Sequence, residues 1–130
     1  MKPSVGIVLV SHSTELASGL CAVLEQLGVS PGSVVAAAGT ADGRIGTSYD
    51  AIALAIKKAN QGRGAIILPD LGSSVLTARA VLDNHPQADV ILVDAPFVEG
   101  AVAAAVTAAT GADLDTVTTA AQEARHATKL

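Results

Sequence analysis

The residues best suited to chemistry are a histidine and an aspartate that each follow a short apolar run. His12 is separated from the run at residues 5–10 by Ser11 and is followed by Ser13, and Asp70 follows the run at residues 65–68 and a proline. A neutral imidazole is a good nucleophile near neutral pH, and a carboxylate on one ring nitrogen leaves the other free to attack. We therefore predict that His12 acts as a nucleophile and that Asp70 orients its ring.

Hydroxyl and glycine residues accumulate around this pair. The loop at residues 39–48 carries three glycines, and small polar residues precede three of the predicted helices. Backbone N–H groups and hydroxyls of this kind suit an oxyanion with three free oxygens, which is a phosphoryl group. The predicted phosphate- or partner-binding residues are Ser11, Ser13, Gly39, Thr40, Gly46, Thr47, Ser48, Gly72, Ser73 and Ser74.

The chain shows no sequence signature of a nucleotide or metal site of its own. The glycine loop lacks the lysine and spacing of a Walker loop, and no Gly-x-Gly-x-x-Gly run is present. No cluster of residues has metal-ligand spacing. We therefore expect no resident cofactor, and we expect the phosphate to arrive on one protein and leave to another.

The spacing of apolar residues predicts four strands that alternate with helices. The strands are expected at residues 5–10, 33–38, 65–68 and 89–93, and two of the helices at residues 74–84 and 113–127. Ser13 is expected to cap the first helix and Gly62 to end the second. The inward residues of the other three helices are predicted to be Leu16, Leu20, Leu24 and Leu27; Ile52, Ala55, Ile56 and Ala59; and Val98, Val102, Ala105, Val106 and Ala109.

This alternation predicts an α/β fold: one open parallel sheet with right-handed crossovers and helices on both faces. The common small arrangement has the strand order 2-1-3-4, in which the winding reverses between strands one and three. Ligands bind at such a reversal, outside the carboxyl ends of the strands. His12 and Asp70 are therefore expected to lie side by side there, with the loop at residues 39–48 reaching over the same crevice.

Composition narrows the class of protein. The 130 residues predict one domain, 1–130, and the net charge of -4 argues against a nucleic-acid partner. No apolar run approaches the roughly 20 residues of a membrane span, and the N-terminus does not resemble a signal peptide. The lone Cys21 is expected to be an inert thiol on the buried face of the first helix, and it suits the reducing cytoplasm.

Several motifs together resemble one known family over essentially the whole chain. It is the phosphotransfer subunit of the phosphoenolpyruvate-dependent dihydroxyacetone kinase, within the mannose-type enzyme IIA fold of the bacterial sugar phosphotransferase system. The motifs are Val8-Leu9-Val10-Ser11-His12-Ser13 with Ala17 and Gly19-Leu20 behind it, Gly46-Thr47-Ser48, Asp70-Leu71-Gly72-Ser73-Ser74 and Ala95-Pro96-Phe97-Val98-Glu99-Gly100-Ala101.

The resemblance implies an enzyme subunit that relays phosphate. His12 would accept phosphate from the phosphocarrier protein HPr, through Nε2 with Asp70 on Nδ1. It would pass the phosphate to ADP on the nucleotide-binding subunit of dihydroxyacetone kinase, whose regenerated ATP phosphorylates dihydroxyacetone. Relatives of this fold commonly form homodimers, and the fourth or fifth helix is expected to supply the contact.

Two other functions remain open from the sequence. One is the IIA component of a mannose-type sugar transporter. Those relatives usually carry Gly-Gly-Ser-Pro in the turn where this chain has Asp70-Leu71-Gly72-Ser73-Ser74, and a glycine after the histidine where this chain has Ser13. The other is a non-catalytic flavodoxin-like regulatory or ligand-binding module. Ser11-His12-Ser13 lacks the acidic residues of a receiver domain, and one Tyr and one Phe are few for a flavin site.

Most of these residues also have an ordinary structural interpretation. Asp70, Ser73 and Ser74 can cap the third helix, and Thr47 and Ser48 the second. Glu99 is expected to stabilise a helix dipole. Asp42 and Arg44 are expected at the tip of a loop, where Arg44 can alternatively contact an acidic partner or a phosphate. His85 and His126 are expected on the surface without partners.

Overall fold

The computed structural model describes residues 3–29, 32–40 and 47–130. Its strands are β1 (Gly6–Ser11), β2 (Val34–Ala38), β3 (Ala65–Pro69) and β4 (Val90–Leu92), and they pair in parallel in the order β2-β1-β3-β4. The predicted α/β class and strand order are confirmed. The helices are α1 (Thr14–Glu25), α2 (Tyr49–Ala59), α3 (Gly72–Asn84), α4 (Phe97–Ala109) and α5 (Leu114–Glu123), followed by a 3₁₀ turn at Ala124–His126.

The two central strands are buried on both faces. Alternate residues of β1 point to opposite sides, so that Ile7 and Leu9 join a cluster with α1, α4 and α5, while Val8 and Val10 join one with α2 and α3. A fully buried Leu or Ile contributes about 1.5–3 kcal/mol to stability. These contacts make β1 and β3 a rigid support for whatever follows their carboxyl ends.

Helix α2 packs closely on the sheet, as its pattern predicts. All four of its predicted inward residues are buried. The approach depends on Gly6, because a Cβ there would lie 2.2 Å from the carbonyl oxygen of Ala59. The helix ends at Ala59 rather than at Gly62, because the side-chain oxygen of Asn60 accepts hydrogen bonds from the N–H groups of Gly62 and Gly64, each at 3.1 Å.

The predicted buried stripe of α4 is wrong in most of its members. Val98 and Val106 are each 48% exposed, Ala109 is exposed and Val102 is half-buried. The buried face consists of small residues, Gly100, Ala101, Ala104, Ala105 and Ala108. The small residues allow a close approach that valines would prevent: a Cβ on Gly100 would already lie 2.9 Å from the Cβ of Ala95. The three valines and Ala109 therefore lie on the outward side of the helix, with Val102 half-buried at its edge, and are called here the valine strip: Val98, Val102, Val106 and Ala109.

The first and last helices are shorter than predicted. Helix α1 buries Leu20 and Leu24 as expected, but Leu16 lies on its exposed side and Leu27 lies beyond its end. Cys21 is half-buried against the core rather than enclosed in it. Helix α5 ends at Glu123 and tightens into the 3₁₀ turn. Among the described helices, none has the length and apolar character that a membrane crossing requires.

Candidate functional site

Strand pairing places His12 beside Asp70, 58 residues apart in the sequence. Val10 is opposite Pro69 in the register of β1 and β3, and the N–H of Asp70 donates to the carbonyl oxygen of Val10 at 2.9 Å. The next residues of each chain segment therefore emerge together where the winding of the sheet reverses. This is the arrangement that the strand order predicts.

Asp70 holds the histidine by its ring and by its backbone. Nδ1 of His12 lies 2.9 Å from Oδ1 of Asp70, and the backbone N–H of His12 donates to Oδ2, also at 2.9 Å. Because the carboxylate accepts the proton on Nδ1, the lone pair of the neutral ring is on Nε2. The His12 side chain is 18% exposed and that of Asp70 only 6%, so the ring remains at the surface while its anchor is enclosed.

Asp70 is itself surrounded by hydrogen-bond donors. The Ser74 hydroxyl and the Leu71 N–H each donate to Oδ1 at 2.7 Å, and the Ser11 hydroxyl lies 3.0 Å from Oδ2. Burial alone would raise the pKa of Asp70. The bonds from the His12 backbone, Ser74, the His12 ring and Leu71 outweigh burial and lower the pKa to about 2. The carboxyl is therefore a fixed negative charge at neutral pH.

This lowered pKa predicts an acid-dependent loss of stability. The pKa of Asp70 falls from 3.8 to about 2 on folding, so the carboxylate stabilises the native state above pH 4 and loses this effect as pH falls toward 2. The contribution is about 2 kcal/mol. In urea unfolding at pH 5 and at pH 2, we expect the stability difference between the wild type and Asp70→Asn to shrink by about this amount. A difference that is the same at both pH values would contradict the prediction.

The hydroxyls of Ser73 and Ser74 contact the two ring nitrogens. Ser73 Oγ contacts Nε2, and Ser74 Oγ lies 3.2 Å from Nδ1. The prediction that these serines cap α3 is wrong. The helix begins at Gly72, two residues earlier than predicted, and its N-cap is Leu71, which makes no side-chain capping bond. The serines therefore lie in the first turn, where Ser74 is buried and Ser73 is exposed.

Ser11 and Ser13 shape the turn that carries His12. Ser13 caps α1 as predicted, because its hydroxyl accepts a hydrogen bond from the Leu16 N–H at 3.2 Å. The buried Ser11 hydroxyl accepts from the Ser13 N–H at 3.1 Å. These contacts hold the backbone on both sides of His12, so the ring is presented in one orientation.

The segment after β2 approaches the same edge of the sheet. Gly39 has a φ of 68°, a conformation that favours glycine, and its N–H donates to the Ser11 carbonyl oxygen at 3.1 Å. Thr40, which follows it, is half-buried. Ser48 caps α2 through the Ala51 N–H at 3.2 Å, which matches its structural interpretation. The remaining predicted residue of this loop, Gly46, lies outside the described residues, as do Asp42 and Arg44.

Thr77 is a residue near the site that sequence reasoning missed. Its hydroxyl donates to the Ser73 carbonyl oxygen at 2.9 Å and lies 3.0 Å from the Thr47 hydroxyl. It thereby ties the segment leading into α2 to the first turn of α3. Its spacing of four residues from Ser73 places both on one side of a helix, and this spacing was the available signal.

Other singled-out residues lie apart from the site. Glu99 forms an ion pair with Lys129 at 2.7 Å, and that hydrogen bond lowers the pKa of its carboxyl, so its role is not limited to the helix dipole. His85 does have a partner, since its ring lies 6.4 Å from that of Tyr49.

Burial raises the pKa of the Cys21 thiol, in agreement with an inert residue. Within the described ranges, no three His, Cys, Asp or Glu side chains are grouped so as to hold a metal.

The arrangement can perform nucleophilic chemistry at Nε2. The ring is fixed by Asp70, its Nε2 lone pair meets the exposed Ser73 hydroxyl, and the fixed charge of Asp70 stabilises the cationic ring that forms after attack. The first turn of α3 adds backbone N–H groups and a partial positive charge beside Nε2. Such a site favours a transferring group that carries negative charge.

Comparison with known proteins identifies the family to which the chain is similar. The model of the EIIA-man family, described as PTS system fructose IIA component, matches residues 6–118. The chain is 36% identical over 100 residues to the PEP-dependent dihydroxyacetone kinase 1, phosphoryl donor subunit DhaM, of Listeria innocua, covering 77% of this chain and 78% of that protein. It is 32% identical over 112 residues to the PTS-dependent dihydroxyacetone kinase, phosphotransferase subunit DhaM, of Lactococcus lactis, covering 86% and 89%.

Longer relatives and a solved structure extend the comparison. The phosphoryl donor subunit DhaM of Escherichia coli is 37% identical over 119 residues, which are 87% of this chain but 25% of that protein. The crystal structure of the protein EF1359, described as of unknown function, superposes with a TM-score of 0.82 at 36% identity, covering 98% of this chain and 97% of that one.

Proposed function

The chain belongs to the EIIA-man family and resembles DhaM phosphoryl donor subunits, and from this premise we propose that it relays phosphate to dihydroxyacetone kinase through a phosphohistidine at His12. The names of its relatives support the assignment of the chain as a phosphotransferase-system donor subunit for that kinase. The observation that carries the phosphohistidine proposal is the Asp70–His12 pair, in which Nδ1 is bound to the carboxylate and Nε2 lies against the exposed Ser73 hydroxyl.

In the first step, Nε2 of His12 attacks the phosphorus carried by HPr. An N–P bond forms at His12 while the bond to the carrier breaks, and the electron pair of that bond returns to the carrier. Nδ1 keeps its proton throughout, and Asp70 stabilises the positive charge that develops on the ring. No metal ion is required on this chain, because the reaction depends mainly on positioning and on charge stabilisation.

The phosphoryl group then rests against the start of α3. Ser73 must turn its hydroxyl from Nε2 to a phosphoryl oxygen, and the N–H groups of the first turn of α3 point toward the same charge. Gly39, Thr40, Thr47 and Ser48 border the crevice on the other side, where they contribute to phosphate or partner binding. The bound group is held by neutral donors, which allows it to leave again.

In the second step, a terminal phosphate oxygen of ADP on the nucleotide-binding subunit of the kinase attacks the phosphorus, the N–P bond breaks, and its electron pair returns to Nε2 of His12. This chain needs no nucleotide or other cofactor of its own in the proposal, since the acceptor arrives bound to a partner. The single half-buried thiol suits a reducing compartment, and we place the relay in the cytoplasm.

The test is a reconstitution from purified components. The chain is incubated with phosphoenolpyruvate, enzyme I and HPr, and then with the ADP-loaded kinase subunit. We expect the mass of one phosphoryl group at His12, stable in base and lost in acid, followed by formation of ATP. No uptake from the carrier would favour a non-catalytic module, and transfer only to a sugar-transporter component would favour the transport branch. Either result would contradict the proposal.

The proposed assembly is a homodimer in which the valine strip of one copy packs on that of another. Helix α4 carries a single charged residue, Glu99, so it is apolar nearly all round, and such helices are normally buried. In a twofold contact the same patch of each copy forms the interface, so the apolar side chains of one valine strip would pack on those of the other. It lies on the face of the sheet that α1 and α5 share, away from α2 and α3.

A charge in the valine strip is expected to dissociate this dimer. Val106→Lys should run at the mass of one chain in light scattering after gel filtration, while the wild type runs at the mass of two. Leu54→Lys is the matched control, since Leu54 is 51% exposed on α2, on the opposite face of the sheet, and it should leave the dimer intact. A monomeric wild type, or a dimeric Val106→Lys, would contradict this contact.

A further inference from the structure

Three side chains at the site form a hydrogen-bonded series in the order Asp70, His12, Ser73. Asp70 Oδ1 accepts from Nδ1 at 2.9 Å, and Nε2 contacts Ser73 Oγ. In this series the serine hydroxyl is the donor, because the ring proton is held on Nδ1. This is the connectivity of a nucleophilic triad, in which an oriented imidazole removes the proton of a serine hydroxyl.

We propose that Ser73 is a nucleophile toward activated acyl groups, which gives the chain an acyl-transfer activity besides phosphoryl transfer. The substrate class is an ester or acyl phosphate with a good leaving group. This proposal requires only the unphosphorylated chain and no partner protein. It does not depend on whether HPr or the kinase subunit is the true partner of His12.

The accessible position of Ser73 supports this role. Ser73 is exposed at the start of α3, whereas Ser74, which also approaches the ring, is buried and donates to Asp70. Ser73 is therefore the serine that can meet a substrate while in contact with Nε2. Its position on a helix keeps the hydroxyl on a rigid element.

The start of α3 also supplies donors for an oxyanion. The first backbone hydrogen bonds of the helix run from the N–H groups of Ser74 and Val75 to the Leu71 carbonyl oxygen, at 3.0 and 3.3 Å. The N–H groups of Gly72 and Ser73 precede these bonds, at the positive end of the helix. They can stabilise the negative oxygen that develops on an attacked carbonyl group.

The reaction balances with water as the only co-reactant. Ser73 Oγ forms a bond to the carbonyl carbon as its proton passes to Nε2, and that proton then goes to the departing alkoxide or phosphate. Water attacks the acyl-serine in the same way and releases the acid and the free hydroxyl. A phosphoryl group on Nε2 removes the proton acceptor, so the chain performs only one of the two reactions at a time.

The test uses a fluorophosphonate reagent, which reacts with activated serine hydroxyls, on the full chain without partner proteins. We expect one adduct per chain, located at Ser73 by peptide mass mapping. The adduct should be absent in Ser73→Ala. It should form about 100-fold more slowly in His12→Ala, because a general base contributes about 10²–10⁴-fold. Ser18→Ala, a change at an exposed serine of α1, should label at the wild-type rate.

Two results would overturn the proposal: no adduct at Ser73 in the folded wild type, or an adduct whose rate is unchanged in His12→Ala. Circular dichroism of each variant shows that it is folded, so that lost labelling reports on reactivity. The outcome is independent of the relay, because labelling needs no carrier protein. A chain that takes up phosphate but resists the reagent retains the proposed function and loses this one.

Discussion

Replacing His12 with alanine is expected to abolish phosphoryl uptake from phosphorylated HPr. Nε2 of His12 is the proposed nucleophile, and the hydroxyls around it are not basic enough to replace it at neutral pH. The measurement is intact mass after incubation with phosphoenolpyruvate, enzyme I and HPr. The wild type should gain one phosphoryl group and the variant none.

The other two histidines provide matched controls. His85 follows α3, at the opposite end of that helix from Ser73, and His126 lies in the terminal 3₁₀ turn; both are exposed. His85→Ala and His126→Ala should therefore accept phosphate at the wild-type rate. Uptake by His12→Ala at a substantial fraction of the wild-type rate would sink the relay, whichever residue carried the group.

Replacing Asp70 with asparagine is expected to slow phosphoryl uptake by about 10²–10³-fold, the range for losing one preorganised electrostatic partner. The amide carries no charge to stabilise the cationic ring. An amide oxygen facing Nδ1 preserves the tautomer, but an NH₂ group facing Nδ1 forces the proton to Nε2 and removes the attacking lone pair. The rate is measured by rapid-quench sampling with phosphorylated HPr in excess.

The same variant is also expected to unfold more easily, by about 1–3 kcal/mol at pH 7. The two oxygens of Asp70 face donors from Ser11, His12, Leu71 and Ser74, and an amide brings an NH₂ group against some of them. Asp83→Asn, at an exposed carboxylate on α3, should change neither quantity appreciably. If Asp70→Asn took up phosphate at the wild-type rate, the carboxylate would have no part in orienting or charging the ring.

The location of the site could be predicted from the sequence because it depends on topology. Apolar runs that end in His12 and Asp70 identify buried strands, and the order 2-1-3-4 brings the ends of strands one and three together. No side-chain detail enters this step. The same holds for Ser13 and Ser48, which cap their helices through local backbone geometry, as their positions before α1 and α2 indicate.

The roles of Ser73 and Ser74 could not be read from the sequence in the same way. A shift of two residues in the start of α3 changes a capping serine into one whose side chain turns toward His12. Local propensity favours a serine over a leucine as N-cap, so by itself it predicts a later start for α3 than the one observed at Leu71 and Gly72. The start is decided by Asp70, which accepts the Leu71 N–H and the Ser74 hydroxyl at once.

Sequence alone determined which segments form strands and helices, and with them the sheet edge at which His12 and Asp70 meet, because hydrophobic periodicity is a local property of the chain. It could not determine which side of α4 is buried, since alanines and valines surround that helix and neither set is polar. Tertiary packing decided this, because only Gly100 and the alanines let α4 approach the sheet and α5 closely, so the valine strip remained outside. The contact of Ser73 with Nε2 likewise required the two strand ends and α3 to be assembled, because its partners are distant in the sequence.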